Sequence, residues 1–375
     1  MSSTTKENVH HTLAYKVWKL CKAGERLTAI DMAIAVVVSC VLFSLPSIHE
    51  LFMWNALCQL ILFTVVVEIP CLLTSHMCYV DLGWPAGLVV LGLNCLIYGQ
   101  GWWLRKLLVC TCMIFHGGRM LAGGLVMFYP YRFKNDLSRY QYARVRWVDH
   151  EKLPESWWVL KMLQETLSQS FANIVVLASP LLIATANTSK SLMFLEVLGV
   201  AWWCISWFFE SYADVQKQLF LTDCRTQRKT ATPEQKAVLK QAVLGYAPFD
   251  TPKYSLWTLS RHPNYLGELS CWFAFALMGL PTVLDYKTWM PQNEHWSVPF
   301  LLVGLWLVVR FFYDCLVYWT GAQPAEAGSV TRRPTYKEYQ KVVPVMFPKA
   351  IHMLVPFADH HMTPGWPVVE DAKTE

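Results

Sequence analysis

Several stretches of this chain stay apolar over nearly the roughly 20 residues that a helix needs to cross a hydrocarbon core, and polar, basic segments separate them. Inside a bilayer every backbone N–H and C=O must be satisfied within the protein, so stretches of this kind fold as helices. Counted by length and by polar flanks, because periodicity carries no information in a fully apolar helix, they fall near 28–46, 51–74, 79–100, 104–128, 168–186, 191–210, 266–285 and 297–320. Composition agrees: 54% of residues are hydrophobic and 16% charged, against roughly 25% charged in a globular average. The expectation is an all-α, polytopic integral membrane helix bundle with about eight transmembrane helices. It divides into an N-terminal segment 1–27, a membrane-embedded domain 28–348 and a C-terminal tail 349–375. Residues 1–27 are polar and basic without a cleavable apolar core, so the first span is expected to be retained.

The basic residues set the orientation. Nearly all of the 32 Lys and Arg fall in 1–27, 129–167, 211–265 and 321–375, which eight crossings place on one side. Arg105, Lys106, Lys190 and Lys287 alone fall at the other face, while Arg119 and Arg310 lie within spans. The positive-inside rule then predicts cytosolic N- and C-termini. The formal net charge of +5 reports this sidedness first and an anionic cytosolic ligand second. Basic residues spread over membrane-bounded loops, rather than gathered on one soluble face, argue against nucleic acid as a partner.

Local signals are few. Most of the 12 cysteines lie inside apolar stretches without C-x-x-C spacing, so neither disulfides nor zinc is expected, and Cys110 and Cys112 read as helix filling. Asn187-Thr188-Ser189 is a formal sequon close to the membrane on the far side. Thr232-Pro233-Glu234-Gln235 reads as the capped start of a short surface helix running to Val243. Gly117, Gly118, Gly123 and Gly124, like Gly83 and Gly87, are best explained by close helix packing, since no strand precedes them as a dinucleotide fingerprint requires.

Ionisable residues inside spans cost about 2.5–3.5 kcal/mol each at mid-helix and are functional candidates by default. Glu68, Asp81, His116, Arg119, Glu210 and Glu268 are such residues. His116 and Arg119, three apart, share a helix face and could meet a polar ligand, or Arg119 could pair with Glu68 or Asp81. Glu210, Asp214 and Lys217 recur at helical spacing, either as a solvated helix end or as contacts for hydroxyl and amide groups. Arg310 and Asp314 can neutralise each other four residues apart, and Glu196 carries no assigned role.

Pro263 is well placed to begin the seventh span. That puts Arg261 and His262 at a helix N-terminal mouth, where free backbone N–H groups favour phosphate. The string SRHPNYLGE at Ser260–Glu268, with YVDLGWPAG at Tyr79–Gly87, FFESYADVQK at Phe208–Lys217 and RRPTYKEYQ at Arg332–Gln340, resembles the steroid 5α-reductase-like membrane reductases. Order and spacing match from about Glu68 to Pro348. Sterol C14 reductases and isoprenylcysteine carboxyl methyltransferases share the R-H-P-x-Y-x-G core.

The resemblance implies NADPH bound on the cytosolic side. It also implies reduction of the conjugated C=C bond of a steroid-like or polyprenyl lipid enone that enters from the bilayer. By comparison Glu268 and His116 take the catalytic positions at the substrate carbonyl, with His116 standing where relatives carry tyrosine. Glu68, Arg119, Asp214, Arg261, His262, Asn264, Tyr265, Tyr336 and Tyr339 become cofactor contacts, and no metal is implied. Where relatives carry an E-K-R-type run, this chain has Ala325-Glu326-Ala327-Gly328-Ser329, which weakens the expected phosphate site. Two alternatives remain: an S-adenosylmethionine-dependent isoprenylcysteine-type methyltransferase, and a non-catalytic membrane subunit of a larger complex that kept the fold. The family implies the endoplasmic reticulum, with mitochondrial or other internal membranes as the alternative; membrane lipids and membrane-protein partners complete the expectation.

Overall fold

The computed structural model describes residues 29–131, 136–145, 147–148 and 152–351, and these contain helices and no strand. The expected N-terminal segment 1–27, most of the tail beyond Ile351, and the basic loop residues Arg132, Lys134 and Arg146 lie outside the described residues. The principal helices are α1 (Ala29–Ser44), α2 (Pro46–Thr74), α3 (Val80–Tyr98), α4 (Trp103–Tyr131), α5 (Trp158–Ala184) and α6 (Phe194–Thr230). They continue with α7 (Pro233–Lys240), α8 (Pro263–Leu284), α9 (Val298–Asp314), α10 (Ala322–Arg332) and α11 (Tyr336–Val342). The protein is a polytopic helical membrane protein.

Six runs are long and apolar enough to cross a membrane: Pro46–Thr74, Val80–Tyr98, Trp103–Tyr129, Trp158–Ala184, Pro263–Leu284 and Gln292–Val330. The other two expected spans are helical but differ from that pattern. Helix α1 has 16 residues, about 24 Å at about 1.5 Å per residue, short of a roughly 30 Å hydrocarbon core. Helix α6 starts as expected but runs on for 37 residues into charged sequence, and its apolar end is rich in tryptophan (Trp202, Trp203, Trp207), a residue of membrane interfaces. Helix α5 begins ten residues before the expected edge at 168. Its first turns carry Lys161 and Glu165 beside buried Met162 and Thr166, an amphipathic start that a count of apolar residues reads as loop.

Packing divides the stretch 28–348, expected as one domain, into two compact units. The first is Ala29–Trp207 with Ser270–Phe312; the second contains Phe208–Leu269 and the described part of Tyr313–Glu375. Helices α6, α8 and α9 contribute residues to both.

In the first unit, α3 and α4 meet through glycines. A Cβ added to Gly117 would fall 2.8 Å from Pro85 O, and one on Gly124 would fall 2.7 Å from Asp81 O. Gly118 and Gly123 have nothing within 4 Å, so the packing explanation holds for two of these four glycines. Nearby, an amide ladder donates to main-chain carbonyls of α3 and of a π-turn in α5. Gln59 donates to Gly87 O at 2.7 Å, Asn173 donates to Trp84 O at 3.1 Å, and Asn55 reaches Asn173 O and Ile174 O within the π-turn Ala172–Val176. Arg105, fully buried, pairs with Glu196 and donates to the carbonyls of Asn187, Ser189 and Ser191. Glu196 therefore has a structural role that spacing along one helix does not show. Arg310 likewise faces across to α1, with Nη2 3.9 Å from Asp31 Oδ2. Asn187 of the sequon is 0% exposed and donates to Thr282 Oγ1, so it is inaccessible to a glycosyl donor. The described cysteines are all free thiols.

In the second unit, Trp257 holds three segments together. Its indole Nε1 donates to Ala213 O at 3.0 Å, its carbonyl accepts from Tyr339 OH at 2.5 Å, and Gly245 packs onto it with φ +81°. A Cβ at Gly245 would sit 2.3 Å from Trp257 O, so position and conformation both require glycine. Phe220, Cys224, Leu239, Phe249 and Tyr254 pack around the same residue. Helix α7 begins with the expected capping box, Gln235 N–H to Thr232 Oγ1 and Thr232 N–H to Gln235 Oε1. It ends at Lys240, three residues short of the expected Val243.

Candidate functional site

Helix α8 begins at Pro263, as its sequence predicts, and the two residues before it are bound to the C-terminal segment. Arg261 N–H donates to Pro344 O at 2.9 Å, and His262 N–H to Val345 O at 3.0 Å. The Arg261 side chain, 1% exposed, directs four of its five N–H donors at protein acceptors. Nε and Nη2 grip Glu326 Oε1 and Oε2 at 2.7 and 3.2 Å, while Nη1 donates to Gln340 O at 3.0 Å and Val343 O at 2.6 Å.

Glu326, 0% exposed, is the centre of this cluster. Besides Arg261 it receives Gln340 Nε2 at 2.7 Å, and His262 Nε2 lies 2.9 Å from its Oε1. Burial holds the His262 imidazole below its ordinary value of 6.5; Glu326 opposes that shift, and Arg261 and Lys217 add to it. The His262 ring stacks on Tyr265, with centroids 4.9 Å apart and planes within 6°. Tyr339 and Tyr336 are buried as well, and burial raises both phenols above their usual range, so they act as neutral groups.

In the first turn of α8, Asn264 Nδ2 donates to Asp214 Oδ1 at 3.2 Å. A further turn in, Gly267 lies against α6, where a Cβ would fall 2.6 Å from Glu210 Cβ. Helices α6 and α8 therefore approach closely at Gly267 and Glu210, and both Glu210 and the next residue of α8, Glu268, are buried. Outside this core, Asp223 accepts from Lys253 Nζ and Tyr254 OH, which hold its carboxyl below the usual range.

The second unit thus brings together Asp214, Arg261, His262, Asn264, Tyr265, Glu268, Tyr336 and Tyr339. Glu68, His116 and Arg119 belong to the first unit. There Glu68 Oε2 accepts from Thr166 at 2.9 Å, and buried His116 sits edge-on to Trp272 and Phe275, each at 5.7 Å. The structure also reassigns two expectations. Arg261, expected at a phosphate, is occupied by Glu326 and main-chain carbonyls, and the 325–329 segment, expected as a gap in the site, supplies its central carboxylate.

A family model described as "Protein of unknown function (DUF1295)" matches residues 69–343. The chain belongs to the DUF1295 family. The DUF1295 match begins one residue after Glu68 and ends on Val343, whose carbonyl accepts from Arg261, so it takes in Arg261, Glu326 and Gln340. No curated protein and no solved structure matches the chain.

Glu326 and Gln340 are the site residues that sequence reading missed. The signal was present: a buried Arg-His pair needs a counter-charge, and Glu326 is the only acid between Gly321 and Thr335.

Proposed function

We propose that this DUF1295 protein is an NADPH-dependent reductase of the conjugated C=C bond of a lipid enone, steroid-like or polyprenyl, taken from the bilayer. The observation that carries the reading is the meeting of its most specific string with a second one. SRHPNYLGE and FFESYADVQK contact through Asn264–Asp214 and Gly267–Glu210, which sets half-buried polar groups beside buried carboxylates. A cofactor with a polar body and a reactive ring suits that gradient.

The donor set fits a nucleotide in one respect. Asn264 Oδ1 is buried and has no hydrogen-bond partner among the described residues, so it offers an acceptor to a ligand hydroxyl or carboxamide N–H. Lys217, exposed and less than one turn beyond Asp214, would meet phosphate in place of Arg261. Bound NADPH would supply the hydride for the β-carbon of the enone. Asp214 and Asn264 would bind hydroxyl and carboxamide groups. Glu268, in a dry environment, would hold a proton and hydrogen-bond the carbonyl oxygen as negative charge develops there, with a proton from solvent completing the α-carbon. The assignment of Glu268 and His116 to the carbonyl rests on the sequence resemblance.

The test is which cofactor the purified protein retains. Mass spectrometry of protein extracted in mild detergent is expected to find NADPH or NADP+. S-adenosylmethionine in its place would favour the methyltransferase. Nucleotide-free protein that co-purifies in a stable assembly would favour the non-catalytic subunit.

A further inference from the structure

The cluster around Glu326 also determines what His262 can do. Glu326 receives a two-pronged contact from Arg261 and a third donor from Gln340, an arrangement suited to an ionised, acceptor-only carboxylate. The ring nitrogen 2.9 Å from it must therefore carry the proton. Arg261 already balances the charge of Glu326, so no second cation is required in the cluster. The other ring nitrogen, Nδ1, has no hydrogen-bond partner among the described residues, although the side chain is more than nine-tenths buried. Stacking on Tyr265 fixes the ring plane, leaving Nδ1 with a defined direction. Two residues on, Asn264 Oδ1 is a second acceptor without a partner.

We propose that Glu326 is a positioning residue: it holds His262 as the Nε2–H tautomer, so that the Nδ1 lone pair accepts a hydrogen bond from a hydroxyl or amide N–H of the bound ligand. The Arg-His-Pro-Asn string then recognises neutral donor groups, and its arginine is an internal strut. The inference rests on the reductase reading only for the identity of the ligand, NADPH, whose ribose hydroxyls and carboxamide are groups of this class. The tautomer itself follows from Glu326.

The experiment is 15N NMR of histidine-labelled protein in detergent at pH 7, with the His262 signals assigned by their loss in His262→Gln. The expected spectrum shows a neutral ring, Nε2 protonated and Nδ1 bare. Glu326→Gln, whose amide can donate as well as accept, is expected to mix the tautomers, and Glu326→Asp to restore the single form. A merely structural carboxylate would change stability without moving the tautomer. Should the Glu326 variants fail to fold, the native spectrum still decides, because a protonated Nδ1 overturns the proposal. Titration with NADPH separates the two readings. Binding that perturbs Nδ1 supports the proposal, and binding that leaves Nδ1 unmoved overturns it while the reductase reading stands. No binding, with the Nε2–H form intact, overturns the reductase reading and leaves positioning by Glu326 supported.

Discussion

Arg261 and Glu326, 65 residues apart in sequence, form a two-pronged ion pair with side chains 1% and 0% exposed, joining the start of α8 to α10. A buried pair of this kind adds little net stability over an apolar one of the same shape. Removing one partner strands a charge and costs roughly 3–5 kcal/mol. Glu326→Ala is therefore expected to lower the thermal midpoint sharply in detergent, and Arg261→Met with Glu326→Leu to recover part of the loss. Equal midpoints for Glu326→Ala and the parent would show that the pair is not buried as described.

His262 makes stability depend on pH with a defined sign. Its folded value lies below 6.5 because of burial, so the unfolded chain binds the proton more readily. Its contribution is complete above 6.5 and is lost as the pH falls from there through the folded value. Glu326, Arg261 and Lys217 are the charged groups acting on it. Thermal midpoints measured between pH 7.5 and about 5 are expected to fall on acidification, and to fall less in His262→Gln.

Two glycine substitutions make a matched test of the packing. Gly87→Ala places a methyl 2.2 Å from Asn173 Nδ2 and 2.4 Å from Gln59 Oε1, breaking the amide ladder at an expected cost of about 1–3 kcal/mol. Gly118→Ala meets nothing within 4 Å and is expected to be neutral, or to stabilise by up to about 1 kcal/mol through helix propensity. Unfolding in mixed detergent, followed by tryptophan fluorescence, distinguishes the two.

Asn187 is closed to modification by burial. Treatment with a glycosidase, or the change Asn187→Gln, is expected to leave the electrophoretic mobility of protein from a glycosylating host unchanged.

The helical membrane architecture was legible because hydrocarbon admits so few backbone solutions, and the start of α8 was legible because Pro263 is well suited to a first turn. The start of α5 was not: its amphipathic residues satisfy packing and polarity together, which a search for apolar length passes over. At the site, Asp214 and Asn264 were each identified as contacts, but their hydrogen bond joins residues 50 apart and has no local sequence signature. Glu326 was masked by the alanine and glycine around it, and the one pointer to it lay elsewhere in the chain, in the need of buried Arg261 and His262 for a counter-charge. Arg261 was over-read for a related reason, because a helix mouth that favours phosphate looks the same in sequence when a carboxylate from elsewhere in the chain fills it.

The central claim is reduction by NADPH, and its most direct measurement is single-turnover oxidation of NADPH by purified protein given a 3-keto-Δ4 steroid or a polyprenyl enone. The expected result is saturable cofactor binding, enone-dependent loss of NADPH absorbance and one saturated ketone per cofactor consumed, all abolished by Glu268→Gln at unchanged thermal midpoint. Folded protein that fails to bind NADPH at millimolar concentration, or that transfers a methyl group from S-adenosylmethionine to a farnesyl-cysteine substrate, would contradict it.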